Sequence, residues 1–187
     1  MRALKALTVV AAALLVGGCW TLSIEPLYTE ADLVSESGLV GVWGDTSGSS
    51  DETWTFLMTQ EGRYRLITEE QDAPDGVFEA CLMRLDNQLY LDLYPEEPET
   101  GNEMLVGHLI PAHSFWRIAL EGHVLSLRML DTDWLKKKIE QGEIDIAHIR
   151  RDDVIVLSAS TSELQQFVTR HADEAFDDDP LVMQRRH

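Results

Sequence analysis

The side chains best suited to chemistry are carboxylates, histidines and hydroxyls near the ends of predicted strands. Asp92, His113 and Ser114 include the three groups of a hydrolytic triad, in which a histidine activates a serine nucleophile. Ser114 lacks the Gly-x-Ser-x-Gly context that exposes such a nucleophile, and the chain contains no Ser-x-x-Lys pair. Because no catalytic motif is found, the sequence predicts a non-enzymatic protein without a cofactor.

A metal site is the second chemistry to consider, since the chain has six histidines. His108, His113, His123 and His148 fall at predicted turns and strand ends, without the His-x-x-x-His spacing that places two ligands on one helical face. The acidic run 177–179 lacks the alternating ligands and the glycine of a calcium loop. No metal site is predicted.

Charge excludes one class of partner. The formal net charge is −18, and acidic residues concentrate in predicted turns and near the C terminus, where they form a solvated surface. A chain this acidic has no electrostatic attraction to nucleic acid or to anionic lipid. Nucleic acid is therefore not an expected partner.

The elements that position these residues are mostly short strands. Alternation at Trp54 and Phe56 and at Tyr64 and Leu66 predicts two strands joined by a turn at 60–62. Further strands are predicted at 77–85, 89–94, 104–110, 115–121, 124–130, 144–150 and 154–159.

Two late helices complete the predicted elements. The first begins after a cap at Asp131 or Asp133 and stops at Gly142, and the second begins at a capping box of Ser160 and Glu163. No crossover helix separates the early strands, so the fold class is mainly β: an antiparallel meander that forms a barrel or a β-sandwich. Residues 37–176 are predicted to form this single domain.

Aromatic residues alternate along these strands and are the candidate ligand-binding set. Two interpretations stay open: the side chains line a pocket for a small apolar ligand, or they fill the core of the barrel or sandwich. The set is Trp43, Trp54, Phe56, Tyr64, Tyr90 and Trp116.

The N terminus carries a second signature. Positive Arg2 and Lys5 precede an apolar stretch that is too short to cross a bilayer, and 16–19 read Val-Gly-Gly-Cys. This segment resembles the lipobox of bacterial lipoproteins, in which a signal peptide, here 1–18, is cleaved and the cysteine, here Cys19, is lipidated. The resemblance implies attachment to the cell envelope membrane through lipid on Cys19. Trp20 follows where an aspartate would favour the inner membrane, so the outer membrane is expected.

Domain boundaries follow from this assignment. Residues 19–36 are expected to be the lipidated cysteine and a tether, and 177–187 an acidic-to-basic flexible tail. Cleavage would remove two positive charges and no acid, which changes the net charge from −18 to −20. Cys81 would then be the one unlipidated cysteine, and its apolar surroundings predict a buried, inert thiol.

Two further resemblances concern the domain. Gly41-Val42-Trp43 on the first strand of a meander looks like the lipocalin pattern, which implies a barrel whose tryptophan plugs the closed end and whose open end admits an apolar ligand. Arg150 is the candidate for the late basic residue that packs on Trp43. The segments 91–95, 111–115, 131–135 and 158–167 look like blocks of an uncharacterised family of exported bacterial proteins, which implies no biochemical role.

The sequence thus supports two hypotheses. The first is a membrane-anchored, non-enzymatic module that binds a small apolar ligand, and it predicts a cavity of about 300 Å³ or more. The alternative is a structural lipoprotein that docks another envelope protein, and it predicts a filled core and an exposed apolar patch.

Overall fold

A computed structural model describes residues 20–46, 52–96, 109–151 and 154–186. The predicted signal peptide, the predicted lipidation site Cys19 and the candidate histidine His108 lie outside these ranges. In chain order the strands are β1 (Thr21–Ser23), β2 (Gly41–Asp45), β3 (Thr53–Met58), β4 (Tyr64–Glu69), β5 (Gly76–Leu85), β6 (Gln88–Pro95), β7 (Ser114–Glu121), β8 (Val124–Met129), β9 (His148–Arg151), β10 (Val154–Leu157) and β11 (Leu181–Arg185). The helices are a 3-10 turn at Ser37–Leu39, α1 (Thr132–Glu140) and α2 (Thr161–Arg170).

Eight antiparallel strands close into a barrel, in the order β11-β2-β3-β4-β5-β6-β7-β8. Strands β2 to β8 follow one another as a meander, and β11 closes the ring by pairing with both β8 and β2. The mainly β prediction is therefore confirmed, and of its two forms the structure is the barrel. Between β8 and β11 the chain forms α1, β9, β10 and α2, and β1, β10 and β9 make a separate three-stranded sheet.

Alternating side chains give the barrel wall two buried faces. On β6, Leu91 and Leu93 pack into the barrel interior, whereas Tyr90 packs outward beneath the helices. The interior core includes Trp43, Phe56, Tyr64, Leu66, Leu82, Leu125 and Met183, all fully buried. The outer core joins β5 to β7 to α1, α2 and the small sheet through residues such as Met83, Phe115, Leu135, Leu157, Leu164 and Phe176.

One end of the barrel, here named the capped end, is covered by the segment that leads into β2. Leu39 is fully buried, and its carbonyl accepts the Trp43 indole N–H at 2.8 Å. Tyr64 Oη exchanges hydrogen bonds with the backbone of Glu36 from β4. A Cβ on Gly38 would meet Leu120 of β7 at 3.2 Å, so the segment reaches across the ring.

The basic residue that packs on Trp43 is Arg185, and the expectation of Arg150 was wrong. The Arg185 guanidinium carbon lies 4.7 Å from the Trp43 ring centroid. Arg150 instead lies on β9 and pairs with Glu140 of α1 at 2.6 Å. The difference arises because β9, which carries Arg150, belongs to the small sheet. The strand that pairs with β2 is β11, which carries Arg185.

The C-terminal tail also differs from the prediction. Residues 177–187 were expected to be flexible, but 181–185 form β11, and Met183 is fully buried in the interior core. A backbone that pairs with strands on both sides satisfies its polar groups and cannot be removed without opening the ring.

The predicted tether is a packed strap. Thr21–Ser23 pair in parallel with Ile155–Leu157, and Leu27 is fully buried in the outer core. Gln165 of α2 donates to the Leu27 carbonyl at 2.9 Å. Residues 20–36 therefore hold the chain against the barrel wall instead of leading freely away from it.

The two helices begin where their caps predict. Asp131 accepts the Trp134 N–H at 2.9 Å, and Ser160 and Glu163 form a capping box. Neither helix, nor any other in the described ranges, is long and apolar enough to cross a bilayer. The strand expected at 144–150 is shorter in the structure, because it begins at His148. Most of the strand expected at 104–110 lies outside the described residues.

Candidate functional site

Four of the six candidate aromatic residues meet inside the barrel. Trp43, Phe56 and Tyr64 are fully buried and Trp54 is 5% exposed. The Phe56 ring lies 6.3 Å from Trp54 and 6.2 Å, edge to face, from Tyr64. These rings pack against one another and against Leu66 and Leu82, so they fill the interior.

The other two candidates take different positions. Trp116 is partly buried against the interior core, with its ring 5.6 Å from Trp54 in an edge-to-face contact. Tyr90 does not join the set, because it lies on the outer face of β6, 5.7 Å from Phe176. In the described part of the chain its buried hydroxyl has no hydrogen-bond partner.

The cavity that could take an apolar ligand lies at the end of the barrel opposite the capped end, here named the open end. It is a groove of about 900 Å³ between the ends of β5, β6 and β7, the start of the strap and residues 109–112. Its volume falls in the range of small-molecule sites. Its apolar lining residues are Trp20, Leu22, Phe78, Leu93, Pro95, Leu109, Ile110, Pro111 and Ala112.

The groove has few polar groups, and its acids are compensated. Glu79 pairs with Arg63 at 2.7 Å, and Glu96 pairs with Arg65 at 2.8 Å. The Arg65 guanidinium holds the pKa of Glu96 below its usual value. The lining therefore suits an uncharged apolar chain better than an ion.

Beneath the groove, a buried pair joins Asp92 to His113. Asp92 is 1% exposed, and its Oδ1 lies 2.6 Å from His113 Nδ1. Its Oδ2 accepts the Leu27 N–H at 2.8 Å, and the Tyr94 ring packs at a tilt of 37° against His113, with the ring centroids 4.5 Å apart. Burial raises the pKa of Asp92, and the bonds to His113 and Leu27 oppose that rise. The carboxylate thus fastens the strap and the start of β7 to β6.

Ser114 does not complete a triad with this pair. Its Oγ accepts the Trp116 indole N–H at 3.2 Å, so the two side chains share one face of β7. His113, one residue earlier, lies on the opposite face. The structure thus brings together two of the three groups and separates the nucleophile from them.

Cys81 occupies the outer face of β5, opposite Asp92 in the register. It is 2% exposed, as the sequence predicts, and burial raises its pKa to about 12. A thiol this weakly acidic holds almost no thiolate at neutral pH.

Two of the candidate histidines, His113 and His148, bond to different partners through Nδ1. His148 Nδ1 lies 2.8 Å from the Ile146 carbonyl oxygen, whereas His113 Nδ1 lies 2.6 Å from Asp92 Oδ1. Within the ranges that the structure describes, no three His, Cys, Asp or Glu side chains are placed to hold a metal ion.

Sequence reasoning missed the groove because its residues carry no aromatic alternation. Phe78, Leu93 and Leu22 come from three separate strands, and only the folded barrel brings them together. One signal was present: Leu109 and Ile110 are adjacent aliphatic residues directly before Pro111, at the end of the strand predicted at 104–110.

Comparison with protein-family models, curated proteins and solved structures gives no significant match to this chain. A functional assignment therefore rests on its own residues and their geometry.

Proposed function

We propose that this chain is a membrane-anchored lipoprotein of the cell envelope that binds a small apolar ligand without catalysing a reaction. The observation that carries the proposal is the groove of about 900 Å³ at the open end, lined mostly by apolar side chains. Its volume exceeds the roughly 300 Å³ that a small-molecule site needs. The ligand is held by the groove residues Phe78, Leu93 and Leu22, not by the aromatic residues of the interior.

The anchor is lipid on Cys19, and its basis is the sequence. The signal peptide and lipobox at 1–19 support export and lipidation, and Trp20 after the cysteine supports the outer membrane. Each buried methylene of the attached chains contributes about 0.8 kcal/mol, so several chains hold the protein stably on a bilayer.

Metabolic labelling with radioactive palmitate tests the anchor. The wild-type chain should take up label and fractionate with membranes, whereas Cys19→Ser should do neither. Cys81→Ser is the matched control and should be labelled like wild type. Labelling of Cys19→Ser, or none in wild type, would remove the anchor from the proposal.

Native mass spectrometry tests the groove. Protein purified from envelope extract should carry a small molecule that denaturing analysis releases and identifies by class. Ala112→Trp places a large side chain in the groove and should reduce the bound fraction severalfold. Ala119→Trp, on the exposed outer face of β7, is the control and should retain the ligand. A bare wild-type monomer would contradict the binding function.

A second function, docking of another envelope protein, is favoured by a different observation. The barrel interior is filled by aromatic and aliphatic side chains, and Leu109 and Ile110 are 55% and 78% exposed. Crosslinking in intact cells separates the two functions, because a protein partner would give a defined heavier product that Ile110→Glu abolishes.

A further inference from the structure

The groove is bordered by exposed apolar side chains. Trp20, Leu109 and Ile110 are 44%, 55% and 78% exposed, and all three line the groove. These three residues, here named the apolar rim, form a cluster at the open end, because all three line one groove. A clustered apolar surface marks a binding surface more often than scattered residues do.

The rim is fixed to the body of the protein at Trp20. The Trp20 carbonyl accepts the Ile155 N–H at 3.2 Å, and Thr21 pairs with Ile155 in the small sheet. The Thr21 hydroxyl donates to Thr132 Oγ1 at 2.9 Å in a buried contact. Trp20 therefore begins a packed strand and is not part of a free linker.

The spacing between the rim and the anchor is one residue. Consecutive Cα atoms are about 3.8 Å apart, so lipid on Cys19 would bring the Trp20 backbone to the level of the lipid headgroups. A longer tether would let the domain turn in any direction, but the strap leaves no such length. The open end then faces the bilayer.

We infer that the apolar rim docks on the surface of the phospholipid bilayer, with Trp20, Leu109 and Ile110 inserted at the interface, so that the groove opens onto lipid. This inference rests on the proposed anchor at Cys19 for its orientation. Tryptophan suits this depth because its ring is apolar and its N–H is polar. The acids of the groove, Glu79 and Glu96, already pair with arginines, which lowers the cost of approaching the membrane.

The lipid that fits is zwitterionic. The formal net charge, −18 for the whole sequence and −20 after removal of residues 1–18, opposes attraction to an anionic surface, so docking depends on apolar contact. A groove that opens onto the bilayer receives its apolar ligand from the membrane without passage through water.

Tryptophan quenching by brominated phosphatidylcholine tests the docking. Full-length protein purified from membranes is reconstituted into vesicles whose acyl chains carry bromine near the headgroup. Emission should be quenched, and Trp20→Phe should remove most of the quenching, because Trp43 and Trp54 are buried in the barrel and Trp116 and Trp134 are each partly buried against one of the two cores. Ile110→Glu should also reduce quenching, whereas Ile149→Glu, 61% exposed on β9, should not.

Equal quenching in wild type and Trp20→Phe, or none in wild type, would overturn the inference. Mass spectrometry of the same sample reports the lipid on Cys19 and any bound ligand independently. A lipidated, ligand-bound protein without quenching of Trp20 would leave the proposed function standing and refute the docking. Quenching of Trp20 with an unmodified Cys19 would support the docking and refute the anchor.

Discussion

Arg185 stacks on the face of Trp43 and joins the last strand of the barrel to the first. Its guanidinium also donates to the Val40 carbonyl at 2.6 Å and to the Gly38 carbonyl. One side chain therefore contacts the ring that fills the capped end and the segment that covers it.

Replacing Arg185 should weaken the capped end. Arg185→Ala loses a cation–π contact and two charge-assisted hydrogen bonds, so the free energy of unfolding in urea should fall by about 3 kcal/mol. Arg185→Lys should fall between wild type and alanine, because an ammonium cannot reproduce the guanidinium fork. Arg186→Ala, which removes a side-chain bond of 3.4 Å to the Asp45 carbonyl, should lose about 0.5 kcal/mol or less. Equal losses at both positions would show that the Arg185 side chain does not stabilise the capped end through these three contacts.

Removing β11 should open the barrel. A chain that ends at Asp179 leaves the edges of β2 and β8 unpaired and removes Met183 from the interior core. We expect loss of the near-ultraviolet circular dichroism signal and of cooperative unfolding. A chain that ends at Arg186 should behave like wild type. A cooperative transition in the shorter chain would show that closure is dispensable.

Removal of the hydroxyl group from two buried tyrosines should change the stability of the protein in opposite directions. Tyr90→Phe removes a buried group without a partner in the described ranges, so stability should stay the same or rise by about 1 kcal/mol. Tyr64→Phe removes bonds to Glu36 and should lower stability by about 1 kcal/mol. Urea denaturation measures both, and a loss in Tyr90→Phe would indicate that its hydroxyl is satisfied in solution.

Asp92 should make stability depend on pH in an unusual direction. Because burial raises its folded pKa, the stabilisation that its proton provides is present below the unfolded value of 3.8 and is lost as pH rises through the folded pKa. The Asp92→Asn variant cannot ionise at this position, so it does not lose stability for this reason as pH rises. The unfolding free energy of wild type minus that of the variant should therefore decrease over the pH interval that begins at 3.8 and extends through the raised folded pKa. An increase over that interval would mean that His113 and Leu27 stabilise the carboxylate by more than burial costs.

Much of the barrel was predictable because its strands carry local patterns. Trp54 and Phe56, or Leu91 and Leu93, alternate with outward residues, and this alternation specifies a strand whatever its partners are. The helix caps at Asp131 and Ser160 are likewise local, since each bonds within its own first turn.

The two strands that the sequence analysis missed, β1 and β11, are held in place by partners that are distant in the sequence. Thr21–Ser23 has only three residues, and Leu181–Arg185 follows a run of aspartates and a proline, so neither carries a pattern of its own. Their stability comes from Ile155 and from β2 and β8, which are far away in the sequence.

The misplacement of Tyr90 has a related cause. Both faces of β6 are buried, one by the interior and one by the outer core, so hydrophobicity alone does not say which residues point inward. Sequence placed Tyr90 with the other aromatic residues, but the leucines of β6 take the interior.

The insertion between β8 and β11 also sets the order in which the protein can be completed. Trp43 pairs in register with Arg185, 142 positions later. The seven strands β2 to β8 can be synthesised and can form hairpins while the barrel is still open. The strand β11 must then pair with β8 and β2 before the interior is closed. In a growing chain, one edge of β2 and one edge of β8 therefore stay without a partner until β11 has been made, so the arrival of β11 is the step that commits the strands to a closed barrel.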